Sequence, residues 1–196
     1  MKTLQLIVLT FLSITIFGCK GDKKEEKDQE NNTQTVETPL KKEEAETKTL
    51  EITLEPKSDS KASGNIVFTE AAGMVTMVAK MTGLSEGEHA IHIHEKADCS
   101  SPDGKSTGGH WNPTLERHGK WGDTEGYHKG DIGNFNVDAE GNGNLTFATN
   151  EWCLGCDDEK KNIIGKAIIV HQGVDDFTTQ PTGAAGGRIS CGAIIQ

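Results

Sequence analysis

The chain has 196 residues, a formal net charge of −10 and 34% hydrophobic residues, with 23 glycines. That length admits one domain plus appended segments, and the composition suits a lean, turn-rich all-β core. The acidic balance excludes a protein that works by gripping nucleic-acid phosphates.

Residues 1–18 have the form of a secretory signal peptide. Lys2 supplies the charged start, and Leu4–Phe17 is an apolar run too short for a comfortable transmembrane helix. Ile16-Phe17-Gly18-Cys19 resembles a bacterial lipoprotein processing site, where Cys19 would be lipidated and become the mature N-terminus. An ordinary signal peptide cleaved nearby is the alternative. Residues 19–48 then read as the lipidated cysteine and a disordered charged tether. Large apolar side chains are nearly absent there; a solvated helix in the Lys/Glu stretches is the alternative, and Pro39 argues against one long helix. Such a segment buries too little surface to offset its ordering entropy. These features predict an extracytoplasmic protein of the bacterial envelope, in the periplasm or at the cell surface, joined to a membrane through lipid.

Residues 49–196 form the predicted domain. Thr49–Glu55 alternates, with Leu50, Ile52 and Leu54 on one face. Further short strands are predicted over Asn65–Phe68, Met74–Met81, Glu88–His94, Ile132–Val137, Asn144–Ala148, Lys166–His171 and Arg188–Ile194. Glycine, Asn and Asp punctuate them. Eight strands without a convincing helix predict an all-β sandwich or flattened barrel. Two segments, Glu95–Lys129 and Gln172–Gly187, are too long for hairpins. Each starts directly after a histidine, and long connections in a compact domain usually carry function.

Six of the seven histidines fall in one pattern: His92, His94, His110, His118, His128 and His171, with Asp131 three residues after His128. The two-residue gap puts His92 and His94 on one face of a strand. The set supplies enough nitrogen and oxygen for two adjacent metal ions. Imidazole suits copper and zinc, and a lone carboxylate among histidines suits zinc better. The seventh, His89, should point to the opposite face of its strand.

HAIHIHEKADC (89–99), GGHWNP (108–113), HG (118–119), HKGDIGN (128–134), GKAIIVH (165–171) and TGAAGGRISCGAII (182–195) occur in this order. Together they resemble the copper–zinc superoxide dismutase family, and most of all its bacterial, exported branch. The resemblance implies an eight-stranded Greek-key barrel with one copper and one zinc ion per subunit. It implies copper on His92, His94, His110 and His171, and zinc on His110, His118, His128 and Asp131, with His110 shared. The implied activity is dismutation of superoxide to dioxygen and hydrogen peroxide by a copper redox cycle. In that cycle His110 is released on reduction, takes up a proton and delivers it towards peroxide. Arg188, three residues before Cys191, matches the family's active-site arginine; a surface ion pair is the bland reading. Asp175 matches the aspartate that ties a copper histidine to a zinc histidine, and Thr182 the threonine that narrows the channel. A non-catalytic metal-binding module on the same fold is the competing class. Dimer geometry differs between branches of the family, so a homodimer is one oligomeric option.

The resemblance also implies a disulfide between Cys99 and Cys191. Cys153 and Cys156 form C-L-G-C, outside the family's common pattern. A local disulfide, a second metal or copper-handling site, and free thiols are the readings open for that pair. Lys96, Lys105 and Lys129 lie near ligands in sequence. They are either approach-lining charges for an anion or ordinary solubilising groups.

Overall fold

The structure, a computed structural model, describes residues 46–196; the signal segment, Cys19 and the tether up to residue 45 lie outside the described residues. Eight strands follow in order: β1 (Lys48–Pro56), β2 (Ser63–Ala71), β3 (Met74–Thr82), β4 (Gly87–His94), β5 (Gly133–Val137), β6 (Gly143–Thr149), β7 (Lys166–His171) and β8 (Arg188–Ile194). A single turn of 3-10 helix, Lys105–Thr107, is the helical structure among the described residues. The strands close into an antiparallel barrel in the order β1-β2-β3-β6-β5-β4-β7-β8. This is the Greek-key architecture of the family resemblance, with crossovers from β3 to β4 and from β6 to β7.

Period-two patterning decides which side chains fill the barrel. Ile52 and Leu54 of β1, Ile66 and Phe68 of β2, and Val75, Met77, Ala79 and Met81 of β3 are buried, and most of their neighbours face water. The same alternation sends His89, Ile91 and Ile93 of β4 to one face and His92 and His94 to the other. Ile91, Ile93, Ile168 and Val170 join the main core. On the outer face, Ala167, Ile169 and Cys191 form a second cluster with Cys99. The histidine pair of β4 therefore sits outside the barrel, under the loops that cover β4, β7 and β8.

Residues 95–129 and 172–187 form two of those loops. A third long connection, 150–165, joins β6 to β7 and did not stand out in the sequence. Trp152 anchors it: the ring is buried and its Nε1 donates to the Lys129 carbonyl at 2.9 Å. Disulfides tie down two of the connections. Cys99–Cys191 spans 92 residues and fastens the loop after β4 to β8; Cys153–Cys156 closes a turn within 150–165.

Candidate metal centre

His92 and His94 project from the outer face of β4. His94 also forms an isolated antiparallel bridge with His110, which draws the start of the 95–129 loop back over the strand. His171 ends β7, where the ladder to β8 shifts register, and it pairs there with Arg188. His118 and His128 come from the same loop as His110, and Asp131 follows just before β5. One donor atom from each of His92, His94, His110 and His171 falls within a sphere where all lie within 4.8 Å of one another, and the same holds for His110, His118, His128 and Asp131. All seven residues are buried. His110 is the hub, with ring centroids 4.0 Å from His92, 5.0 Å from His94, 5.3 Å from His118 and 5.7 Å from His128.

Five of the six rings, all but His128, are fixed through one nitrogen and leave the other facing their cluster. His92 Nε2 donates to Asp175 at 2.8 Å and His94 Nδ1 to the Gly108 carbonyl at 3.0 Å. His171 Nδ1 lies 3.4 Å from the Gly186 carbonyl, which leaves its Nε2 facing His94 Nε2 at 3.4 Å. His92 Nδ1, His110 Nε2, His118 Nδ1 and His128 Nδ1 are buried without any hydrogen-bond partner. Buried polar atoms in native proteins are nearly always paired. Four such orphans converging on two points is the pattern that metal ions would complete, and the outer partners are the kind that orient metal-bound imidazoles.

The second group is organised by Asp131. Its Oδ1 accepts from His110 Nδ1 at 2.8 Å, and its Oδ2 accepts from the backbone N–H of His128 at 2.8 Å and of Gly119 at 3.2 Å. His118 Nδ1 and His128 Nδ1 lie only 2.9 and 3.2 Å from the same carboxylate, yet neither meets it with hydrogen-bond geometry. They stand beside the carboxylate, as ligands of one ion do. Asp175 joins the two groups, accepting His92 Nε2 on one oxygen and His118 Nε2 on the other, each at 2.8 Å. Asn134 of β5 fixes Asp175 by bonding both its N–H and its carbonyl. The neighbouring Asp176 is exposed and caps Thr178 and Thr179 instead. Gly183 has a positive φ of 65° and packs against the Asp175 carboxylate and His118, where a Cβ would collide with both.

Electrostatics separate the two groups. Burial, then the neighbouring imidazoles, push His94 and His171 well below the ordinary histidine value. Burial also pushes His110 down to about 4, although Asp131 opposes it. These rings stay neutral and keep lone pairs to give. Burial acts on His118 in the same direction, but its contacts with Asp131 and Asp175 prevail and raise it to about 9. Asp131 and Asp175 are held well below the carboxylate range by their histidine partners despite burial. Without a dication, a proton on His118 offsets one of those two charges; a metal ion would displace it.

The model of the copper/zinc superoxide dismutase family (SODC) matches residues 62–194. The chain belongs to that family. Among solved structures of this family's fold, a superoxide dismutase-like protein from Bacillus subtilis is 30% identical, with a TM-score of 0.66, covering 74% of this chain and 97% of that one. A double mutant of that protein, with a tyrosine and a proline changed to histidines, is 33% identical over the same shares, with a TM-score of 0.67. The clock protein EA4 is 34% identical, with a TM-score of 0.63, covering 73% of this chain and 91% of that one. Family membership implies copper and zinc, and the two donor groups fit them: four nitrogens in one, three nitrogens and an oxygen in the other.

The remaining residues singled out in the sequence fall as follows. Arg188 is half-buried beside His171, and its Nη1 donates to the Gly104 carbonyl at 2.9 Å and to Thr107 Oγ1 at 3.0 Å. Thr182 is half-buried in the loop next to Gly183. His89 lies on the barrel face of β4, its Nδ1 donating to the His171 carbonyl at 2.8 Å and its Nε2 paired with Ser85. Lys105 pairs with Asp103 and Lys129 with Glu151, so two of the three candidate approach lysines are neutralised locally. Thr107 and Asn134 were not legible in the sequence as site residues. Only the tertiary fold brings Thr107 to Arg188 and Asn134 to Asp175.

Proposed function

We propose that this chain dismutates superoxide at the group formed by His92, His94, His110 and His171, with copper there and zinc on His110, His118, His128 and Asp131. The observation that carries the reading is His110, whose Nε2 faces one group and whose Nδ1 faces the other. Bound copper would supply one-electron exchange, so that two superoxide ions and two protons yield dioxygen and hydrogen peroxide. The chain's own residues do the rest. His110 holds and passes a proton at Nε2, and its depressed pKa suits release rather than retention. Arg188 presents a fixed cation where the ladder delivers it, next to His171. Its guanidinium is aimed by Gly104 and Thr107, and a pre-aimed cation stabilises an arriving anion without reorganising. Asp175 keeps the rings of His92 and His118 from turning away.

The same fold also serves proteins described only as superoxide dismutase-like, so a non-catalytic metal carrier is the rival reading. Metal analysis of the purified protein together with a superoxide-decay assay separates them. Superoxide loss well above that of an equal amount of free copper supports the enzyme. Both metals bound without such loss would establish the carrier.

Export to the bacterial envelope is part of the reading, supported by two disulfides and the signal-like N-terminus. Lipid attachment at Cys19 is the matching anchor. Mass spectrometry of the mature N-terminus tests it, and an unmodified N-terminus at another residue would remove the anchor from the proposal.

A further inference from the structure

Gln180 lies in the 172–187 loop, away from every histidine in sequence, yet its side-chain amide spans the backbone of His118. Oε1 accepts the His118 N–H at 2.9 Å, and Nε2 donates to the His118 carbonyl at 2.8 Å. No backbone–backbone hydrogen bond reaches His118 among the described residues. The two bonds from one amide thus do for His118 what a neighbouring strand does for a ladder residue. His118 is wholly buried, so both peptide groups would otherwise be left without partners.

We propose that Gln180 is a positioning residue for the second metal group: it fastens the His118 backbone on both edges and thereby sets the aim of Nδ1. The ring itself is held at Nε2 by Asp175 at 2.8 Å, with Nδ1 left free toward Asp131 and His128. A ring hinged at one nitrogen still swings if its backbone moves, and the 112–129 segment has no regular structure to stop it. The clamp is presented rigidly. Asp176 caps the N–H groups of Thr178 and Thr179, and the Gly183 N–H donates to the Thr179 carbonyl at 2.7 Å. The arrangement makes the 172–187 loop grip the 95–129 loop twice at His118, once through the ring and once through the backbone. The inference rests on the zinc assignment above and adds a residue to it.

The test compares the full chain with Gln180→Ala and Gln180→Met, using Zn2+ in competition with a chromophoric chelator. Met keeps the side-chain volume and loses both hydrogen bonds; Ala loses both volume and bonds. Both variants are expected to bind zinc about 10–100-fold more weakly than the unmodified chain, the usual consequence of losing an outer support of a ligand. Copper affinity at the other group should stay within about threefold, because His118 is not among its donors. Wild-type zinc affinity in Gln180→Met would overturn the inference. So would an equal loss of both metals, which a general loosening of the fold produces. A wild-type chain that takes no zinc into this group removes the zinc assignment and the inference with it. A chain that takes zinc regardless of Gln180 removes the inference alone. Should either variant fold poorly, amide exchange in the unmodified chain decides: the His118 N–H must be protected, and rapid exchange there overturns the clamp.

Discussion

The two sides of the barrel spend burial differently. On β3 every second residue is buried and apolar, on β1 and β2 the central pairs Ile52, Leu54 and Ile66, Phe68 are, and most residues between them are exposed or half-buried. On β4 and β7 nearly every residue is buried, because loops cover the outer face. The first side stabilises by removing hydrocarbon from water. The second hides imidazoles and carboxylates, which costs free energy unless each is paired. Most of them are paired through Asp175, Asp131, Gly108 and Gly186, and the unpaired nitrogens point at the two metal groups. Stability and function are therefore separable in this fold, and substitutions should sort by side.

The sharpest contrast is between His110→Ala and Phe68→Ala. Loss of His110 should disturb both metals and lower activity by more than about 100-fold, whereas Asp131→Ala should loosen chiefly zinc. Phe68→Ala should cost roughly 3–5 kcal/mol of stability while the surviving folded protein keeps its metal content. Metal analysis and thermal unfolding of the three proteins check this. Normal binding of both ions by His110→Ala would break the shared-ligand assignment.

Arg188→Ala should slow superoxide decay by about 10–100-fold with both metals still bound. From Thr49 onward the chain has 12 Lys and Arg against 21 Asp and Glu, a net charge of −9. An anion is drawn in only if a local cation outweighs that total, which salt screens beyond about 8 Å at physiological strength. Raising ionic strength should therefore slow the unmodified chain more than the variant. A rate that rises with salt would show the negative total in control.

The two disulfides belong to different sides of the comparison. Cys99–Cys191 closes 92 residues of chain and lies under the site, so removing it should cost roughly 3–5 kcal/mol and reduce activity as well. Cys153–Cys156 closes a turn of three, and its removal should cost under about 2 kcal/mol with activity retained. Paired serine variants, assayed for unfolding and superoxide decay, test both. Lost activity in a folded Cys153→Ser, Cys156→Ser protein would link that turn to the centre, by way of Trp152 and Lys129.

The smallest effect concerns the metal-free protein. His94, His110 and His171 are depressed by burial, so the unfolded chain binds more protons as pH falls below about 6.5 and the fold loses stability. His118 is raised to about 9, so its contribution is complete below about 6.5 and fades as pH rises through 9. The unfolding midpoint should fall by roughly several °C on either side of a neutral optimum. Saturation with metal should flatten the alkaline limb, since the ion replaces the His118 proton. An unchanged alkaline limb would count against displacement at that ring.

By itself the sequence determined the strands, because period two in a chain with so few large apolar residues leaves one way to bury Ile52, Leu54, Ile66 and Phe68 together. It also picked out the seven side chains that the fold gathers into two groups, because His-x-His on a strand and His-x-x-Asp in a loop are local patterns read from side-chain direction and chemistry. The third long connection, 150–165, escaped it, since no periodicity marks a segment held by Trp152 and a short disulfide. So did the supports of the ligands. Asn134 meets Asp175, Thr107 meets Arg188 and Gln180 meets His118 across separations of 41, 81 and 62 residues. Those pairings depend on how two irregular loops lie against each other and against β5 and β8. A hydrogen bond between distant loops leaves no trace in local spacing, so only the tertiary structure decides which amide or hydroxyl completes the centre.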